Sequence, residues 1–336
     1  MSVSDVVDVL RELSRAIQRQ VLAACRDQSI EQLSAVSLEA REDTIFNIDR
    51  VSESALLAGI APHAVRLGGV VLVAEGLSSE EVTLPEAWRP EQARWRVIVD
   101  PIDGTRGLMV QKRSAWILAA VAPNDARPAR LGDLEAAIQT EIPTLKAAVA
   151  DELWALKGEP PGALRRSIDG GASVPLVLRP SRAGSIRHGY AMLSRFFPGA
   201  RDELAAIDDE VCRRVLGPNL TGKALCFEDQ YLSTGGQLYE LAMGHDRFVA
   251  DLRPLMAPLL RQRGTPLGLC CHPYDICTAL IAQQAGVIVT APDGGPLDAP
   301  LDVHSDVAWV AYANAAIRRE VEPALQATLR ERGWLA

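Results

Sequence analysis

Aromatic residues make up only 5% of this 336-residue chain, so its core must be built from aliphatic side chains. Long apolar runs are missing too. Stretches such as Gly68–Ala74 and Ile117–Ala122 fall far short of the roughly 20 residues needed to span a bilayer, which excludes a membrane-embedded helix. The six cysteines (Cys25, Cys212, Cys226, Cys270, Cys271 and Cys277) contain no C-x-x-C spacing and read as scattered reduced thiols rather than a disulfide framework. Cys270-Cys271-His272 lacks zinc-site spacing for the same reason. Basic charge is in deficit: 35 Lys and Arg against 43 Asp and Glu leave a net charge of −8, the wrong sign for a general nucleic-acid or anionic-membrane binder. Neither a P-loop nor a G-x-G-x-x-G after a strand occurs, so Gly235-Gly236 and Gly294-Gly295 read as turns or close approaches. His63, His188, His245 and His304 are isolated from any Ser or Cys nucleophile motif. The N-terminus is charged and helical in period, without the basic start and apolar core of a secretory signal, and points to a cytoplasmic protein. What remains is ordinary globular composition, with 48% hydrophobic and 23% charged residues, enough for one large domain or two smaller ones.

Val6, Val7, Leu10, Leu13, Ile17, Val21 and Leu22 recur at spacings of three and four and predict a helix over 4–25. A second helical pattern runs over 52–64, with Pro62 expected to end it. Short apolar runs at 69–74, 95–99 and 115–122 read as strands, the first ending at Glu75 and the second stopping at Asp100-Pro101; 146–155 reads as another. The Pro-, Gly- and Arg-rich stretch 159–171, with a short strand at 174–178 after it, is the expected linker region. Helical patterns over 190–197, 231–243 and 275–285 then alternate with strands at 287–290 and 307–313. The expected organisation is an α+β domain over 1–180 followed by an α/β domain over 181–336.

The most informative residues are Asp100-Pro101-Ile102-Asp103-Gly104-Thr105. A strand reaching Asp-Pro cannot continue its ladder, and a glycine at Gly104 permits the sharp turn that brings Asp100 and Asp103 to one side. Further acids at element ends are candidates to join them: Glu75, Asp49 and Asp275. Like charges packed at about 4 Å cost on the order of 4 kcal/mol per pair at an effective dielectric near 20, and bound cations are the remedy. All-oxygen ligation favours Mg²⁺ or Mn²⁺ over zinc. The matching chemistry is phosphoryl transfer to water, with paired ions polarising the phosphate and acidifying the attacking water.

Together these segments resemble the inositol monophosphatase superfamily of Mg²⁺-dependent, lithium-sensitive phosphomonoesterases. Phe46-Asn-Ile-Asp-Arg-Val-Ser-Glu53, the strand ending Val-Ala-Glu75-Gly76, Trp95-Arg-Val-Ile-Val-Asp-Pro-Ile-Asp-Gly-Thr105 and His272-Pro-Tyr-Asp-Ile-Cys277 carry the resemblance, with Gly294-Gly-Pro-Leu297 and Trp309–Ile317 closing it. The resemblance implies a layered α-β-α-β-α sandwich of the inositol monophosphatase and fructose-1,6-bisphosphatase type. It implies two or three Mg²⁺ ions, with Mn²⁺ a substitute, held by Glu75, Asp100, the Ile102 carbonyl, Asp103 and Asp275. It assigns the orientation and deprotonation of the attacking water to Thr105 and Asp49, with Glu75 also catalytic. It places Asp103, Gly104, Thr105, Ser233, Thr234, Gly235 and Asp251 against a small phosphorylated substrate (an inositol, sugar or nucleotide phosphate) and suggests a homodimer. The chain departs from the family pattern at Phe46, Gly76, Gly107-Leu108 and Tyr274, which leaves a catalytically impaired relative as the alternative. Haloacid dehalogenase phosphatases also use an Asp-rich strand end, but with a different spacing and near the N-terminus. Residues 201–223 and 252–272 read as insertions that reshape the substrate rim.

Overall fold

The structure, a computed structural model, describes residues 2–39, 44–77, 79, 81–125, 127–219 and 221–336, and the side chains of all of these except 36–39, 44–46 and 49–54. The first helix is Val3–Asp27, capped by Ser2, whose hydroxyl accepts from the Asp5 N–H while the Asp5 carboxylate accepts from the Ser2 N–H. This reciprocal box satisfies two of the donors that a helix start leaves open. The helix buries Leu10, Leu13, Ile17 and Val21 together with Leu56, Ile60 and Leu67 of the helix Asn47–Leu67.

Both helices cover one face of an eight-stranded sheet. Its strand order is Ser173–Pro175, Gly162–Ser167, Val149–Leu156, Ala136–Ile142, Ala115–Pro123, Trp95–Asp103, Val70–Ala74 and Glu81–Leu84. Alternate residues such as Val97, Val99, Ile117 and Ile138 face the two helices. Ile98, Trp116, Leu118 and Ala120 face the opposite way, onto Tyr274, Cys277 and Ile281. With both faces covered, the central strands read as continuous apolar runs rather than alternating ones. The middle helical layer, Thr234–Met243, Pro273–Ile276 and Ala279–Ala285, packs in turn on a four-stranded sheet ordered Tyr190–Leu193, Asp246–Asp251, Trp309–Tyr312 and Ile288–Thr290. Helices Arg201–Leu216 and Ala315–Glu331 close its far face with Leu204, Ile207, Ile317 and Val321. The result is the expected α-β-α-β-α sandwich, and no helix among the described residues is long and apolar enough to cross a membrane.

Several sequence expectations need correction. Pro62 does not end its helix, which runs to Leu67. Pro62 and Ala58, whose carbonyl loses its donor, are both exposed, while Ala64 and Leu67 continue the buried stripe. The strand at Trp95 does not stop at Asp100-Pro101 but continues to Asp103 through a register shift. The expected linker over 159–171 contains the strand Gly162–Ser167, hydrogen-bonded on both sides. Residues 190–197 form the strand Tyr190–Leu193 instead of a helix, because they pair in parallel with Asp246–Asp251. The pattern over 275–285 is two short helices. The stretch 201–223 supplies an outer-layer helix rather than only a rim.

Candidate metal centre

Strands Val70–Ala74 and Trp95–Asp103 run parallel, so both deliver their C-terminal ends to the same side of the sheet. Glu75 follows the first, and Asp100 and Asp103 end the second. Next to the strand Ala115–Pro123, Asp100 lies opposite Leu118 while Asp103 lies opposite Trp116. One strand therefore spends an extra residue between the two pairs, and Pro101, with no N–H to donate, falls inside this bulge. Asp100 Oδ1 accepts the Ile102 N–H at 2.9 Å, which turns the Asp100 carboxylate back along its own chain. Gly104 then takes a left-handed conformation (φ +98°) and starts the short helix Thr105–Met109. Thr105 Oγ1 donates to the Ile102 carbonyl at 2.8 Å.

The third carboxylate comes from about 170 residues further along. Asp275 sits in the first turn of Pro273–Ile276, where its Oδ2 accepts the His272 N–H at 2.6 Å. One carboxylate oxygen from each of Asp100, Asp103 and Asp275 lies within 4.8 Å of the other two. Asp100 and Asp103 are 2% and 7% exposed, so two of the three carboxyls lie almost out of water, with Asp275 half-buried beside them. Burial, then the charges of Glu75, Asp103 and Asp275, hold the Asp100 carboxyl well above its usual range. Burial and Asp275 push Asp103 up to about 8, although donors from Ser233, Gly235 and Thr234 pull the other way. Those donors come from one place, the start of helix Thr234–Met243. Ser233 Oγ donates to Asp103 Oδ2 at 2.8 Å and Gly235 N–H to the same oxygen at 2.6 Å. A Cβ at Gly235 would lie 2.5 Å from Leu118 Cδ2 and 3.0 Å from Asp103 Oδ2, so any side chain there would push on the Leu118 methyls and on the carboxyl.

The remaining sequence-predicted residues fall as follows. Glu75 is half-buried beside Asp100, and its charge acts on that carboxyl. Gly76, where the family pattern has a second Glu, has φ +81°, a conformation glycine adopts without strain. Asp49 lies in the first turns of helix Asn47–Leu67; its side chain, like those of Phe46, Ser52 and Glu53, lies outside the described residues. Ser233 and Thr234 are buried, with Ser233 turned to Asp103 and to the Gly236 N–H. Asp251 is 1% exposed and faces Arg253, which donates from Nε at 2.8 Å and from Nη2 at 2.5 Å. Outside the predicted set, Arg113 is engaged by Asp229 and lies over the Tyr231 ring.

Two features escaped the sequence reading. His272 is the cap of the Asp275 helix, and its ring stacks on Tyr274 at 5.2 Å; the signal was present as a capping residue with Pro at the first helical position and an acid at the third. Arg253 stacks on Phe196 and Phe197, with ring centroids 4.8 and 5.4 Å from its guanidinium carbon, and Arg106 lies over Phe197 at 5.5 Å. No local pattern announces that cluster, because it joins three segments distant in sequence.

No family model matches the chain, and no curated protein does. Among solved structures it is similar to the extragenic suppressor protein SuhB of Bartonella henselae, at 17% identity over 96% of this chain and 98% of that one, with a TM-score of 0.64. The Thermotoga maritima IMPase matches at 17% identity over 97% and 99% of the two chains, TM-score 0.60. An inositol monophosphatase–fructose 1,6 bisphosphatase gene product matches at 15% identity over 96% and 98%, TM-score 0.64. At these identities the likeness concerns the path of the chain, which is the inositol monophosphatase fold over nearly its full length.

Proposed function

We propose that this chain, built on the inositol monophosphatase fold, is a divalent-metal-dependent phosphatase acting on a small phosphomonoester. The observation that carries the reading is the trio of buried Asp100 and Asp103 with half-buried Asp275, whose oxygens converge within 4.8 Å. The largest charges acting on Asp100 are all of its own sign. Such a cluster either keeps its protons or takes up a cation, and an all-oxygen donor set suits Mg²⁺, with Mn²⁺ a substitute. Glu75, Asp100, the Ile102 carbonyl, Asp103 and Asp275 would hold two or three ions. When bound, they supply charge that polarises the phosphate and acidifies the attacking water.

The residues around the cluster do the positioning. Ser233 and Gly235 fix Oδ2 of Asp103 and so hold its carboxyl in place beside Asp100 and Asp275. Thr105 spends its hydrogen on the Ile102 carbonyl, so its lone pairs are what it offers to a water molecule. Asp49 takes the proton from that water, and Gly104 lets the backbone approach the phosphate. Thr234 and Gly235 stand at the positive end of a ten-residue helix, the end that favours an anion. Asp251 meets a substrate only as half of its ion pair with Arg253.

The test is phosphate release from inositol 1-phosphate, fructose 1,6-bisphosphate and 3′-phosphoadenosine 5′-phosphate with Mg²⁺, with EDTA and with added Li⁺. Metal-dependent release blocked by Li⁺ is expected from at least one of them. Release unaffected by EDTA would sink the reading, and metal binding without any release would mark an impaired relative.

A further inference from the structure

Away from the acidic cluster, two thiols lie against each other. Cys212 stands near the end of helix Arg201–Leu216, and Cys226 lies on the returning segment that leads to Ser233. Their Sγ atoms are 3.6 Å apart. These are the two half-buried cysteines of the chain, the other four being buried, and all six are free thiols. Both line a cavity of about 620 Å³ with Arg195, Asp208, Arg213 and Lys223 among its walls, so a small reagent can reach them.

We propose that Cys212 and Cys226 form a thiol–disulfide exchange site, closing to an intramolecular disulfide on meeting a low-molecular-weight disulfide of the glutathione class. The two thiols are unequal. The two sulfurs share a hydrogen bond that either can donate; sharing it holds the Cys226 thiol below its usual range, while the same bond and burial push Cys212 up. Cys226 therefore attacks first. Its thiolate displaces one thiolate from the incoming disulfide and leaves a mixed disulfide on Cys226. Cys212 then gives up its proton and attacks Cys226 Sγ, expelling the second thiolate. Overall, two protein thiols are oxidised to one S–S bond, and the reagent disulfide is reduced to two thiols that carry the two hydrogens. A disulfide needs its sulfurs at about 2.05 Å, so a closing motion of about 1.5 Å from the present 3.6 Å completes the geometry.

The bond would have a structural consequence. Cys226 is followed by Phe227, whose N–H donates to the Gly189 carbonyl and whose carbonyl accepts the Ala191 N–H. Closing the disulfide therefore ties the end of the outer helix to the edge strand Tyr190–Leu193 through a short, already hydrogen-bonded segment.

The experiment uses the full-length reduced protein, incubated folded with oxidised glutathione, then unfolded and alkylated, digested and analysed by mass spectrometry. The expected result is a crosslinked Cys212–Cys226 peptide reversed by dithiothreitol, alkylation of the other four cysteines, and a higher unfolding midpoint for the oxidised protein. Cys212→Ser should instead retain glutathione on Cys226. Six alkylated thiols in the wild-type protein, glutathione held on Cys226 of the wild type without a crosslink, or a crosslink through Cys270 and Cys271 instead would each overturn the proposal. The wild-type peptide map decides it even where Cys212→Ser fails to fold.

Discussion

Asp100 is the residue on which most of the account turns. It is buried against three like charges, so Asp100→Asn removes repulsion while preserving shape. The variant should lose turnover by a factor of about a thousand or more, the scale of losing a preorganised charge at a reacting centre. Its metal-free form should unfold at a higher temperature than the metal-free wild type. Steady-state kinetics and a melting curve in EDTA check the two halves. Ser233→Ala removes one of the Asp103 donors, and losing a hydrogen bond to a charged group should lower kcat roughly tenfold with the fold kept. A pH test comes from Asp246, whose carboxyl is pushed up from 3.8 to about 7 by burial and by Glu240. The folded state keeps that proton where the unfolded chain releases it. Its contribution is therefore fully present below about pH 4 and lost as pH rises to about 7. Asp246→Asn should flatten this fall in a series of denaturant titrations, and an unchanged pH slope would count against it. At this scale the Asp100–Thr105 turn was legible because its partners are neighbours in sequence and Pro and Gly announce the bend. The Ser233 bond to Asp103 was not, since it joins residues 130 positions apart.

The elements explain why some patterns misled. Proline inside a helix forfeits a hydrogen bond, yet the helix through Pro62 persists because the stripe of Leu56, Ile60, Ala64 and Leu67 stays buried against the N-terminal helix. Tertiary burial outweighs the local penalty. Pro62→Ala should accordingly stabilise the protein by about 1 kcal/mol or more, and a lower midpoint would show that Pro62 has a role the helix alone does not reveal. The strand at Trp95 was readable from its apolar run, but its continuation past Pro101 depends on a bulge against Ala115–Pro123, and no single strand encodes its partner's register. The helix Arg201–Leu216 carries acids in its first turn and arginines in its last, an arrangement that complements the helix dipole. Ile207 is fully buried in it. Ile207→Ala should cost about 2–5 kcal/mol while kcat of the remaining folded protein stays unchanged, because the outer layer holds the second sheet rather than the acidic cluster.

Across the whole molecule, the alternation of helical and strand periods made a mixed α and β chain legible, two strand runs ended at acids, and the α-β-α-β-α layering itself came from the resemblance to the inositol monophosphatase superfamily. Which helices form the middle layer was not legible, since that depends on how two sheets face each other. The middle layer is what brings Asp275 and the start of helix Thr234–Met243 to the end of the strand that carries Asp100 and Asp103. A cation taken up by these acids would sit at the seam between the large sheet and the middle layer. Calorimetric titration of the metal-free protein with Mn²⁺, beside Asp100→Asn, tests this most directly. The account predicts saturable binding to the wild type and its loss in the variant, and absence of binding to the wild type, or equal binding to both, would contradict it.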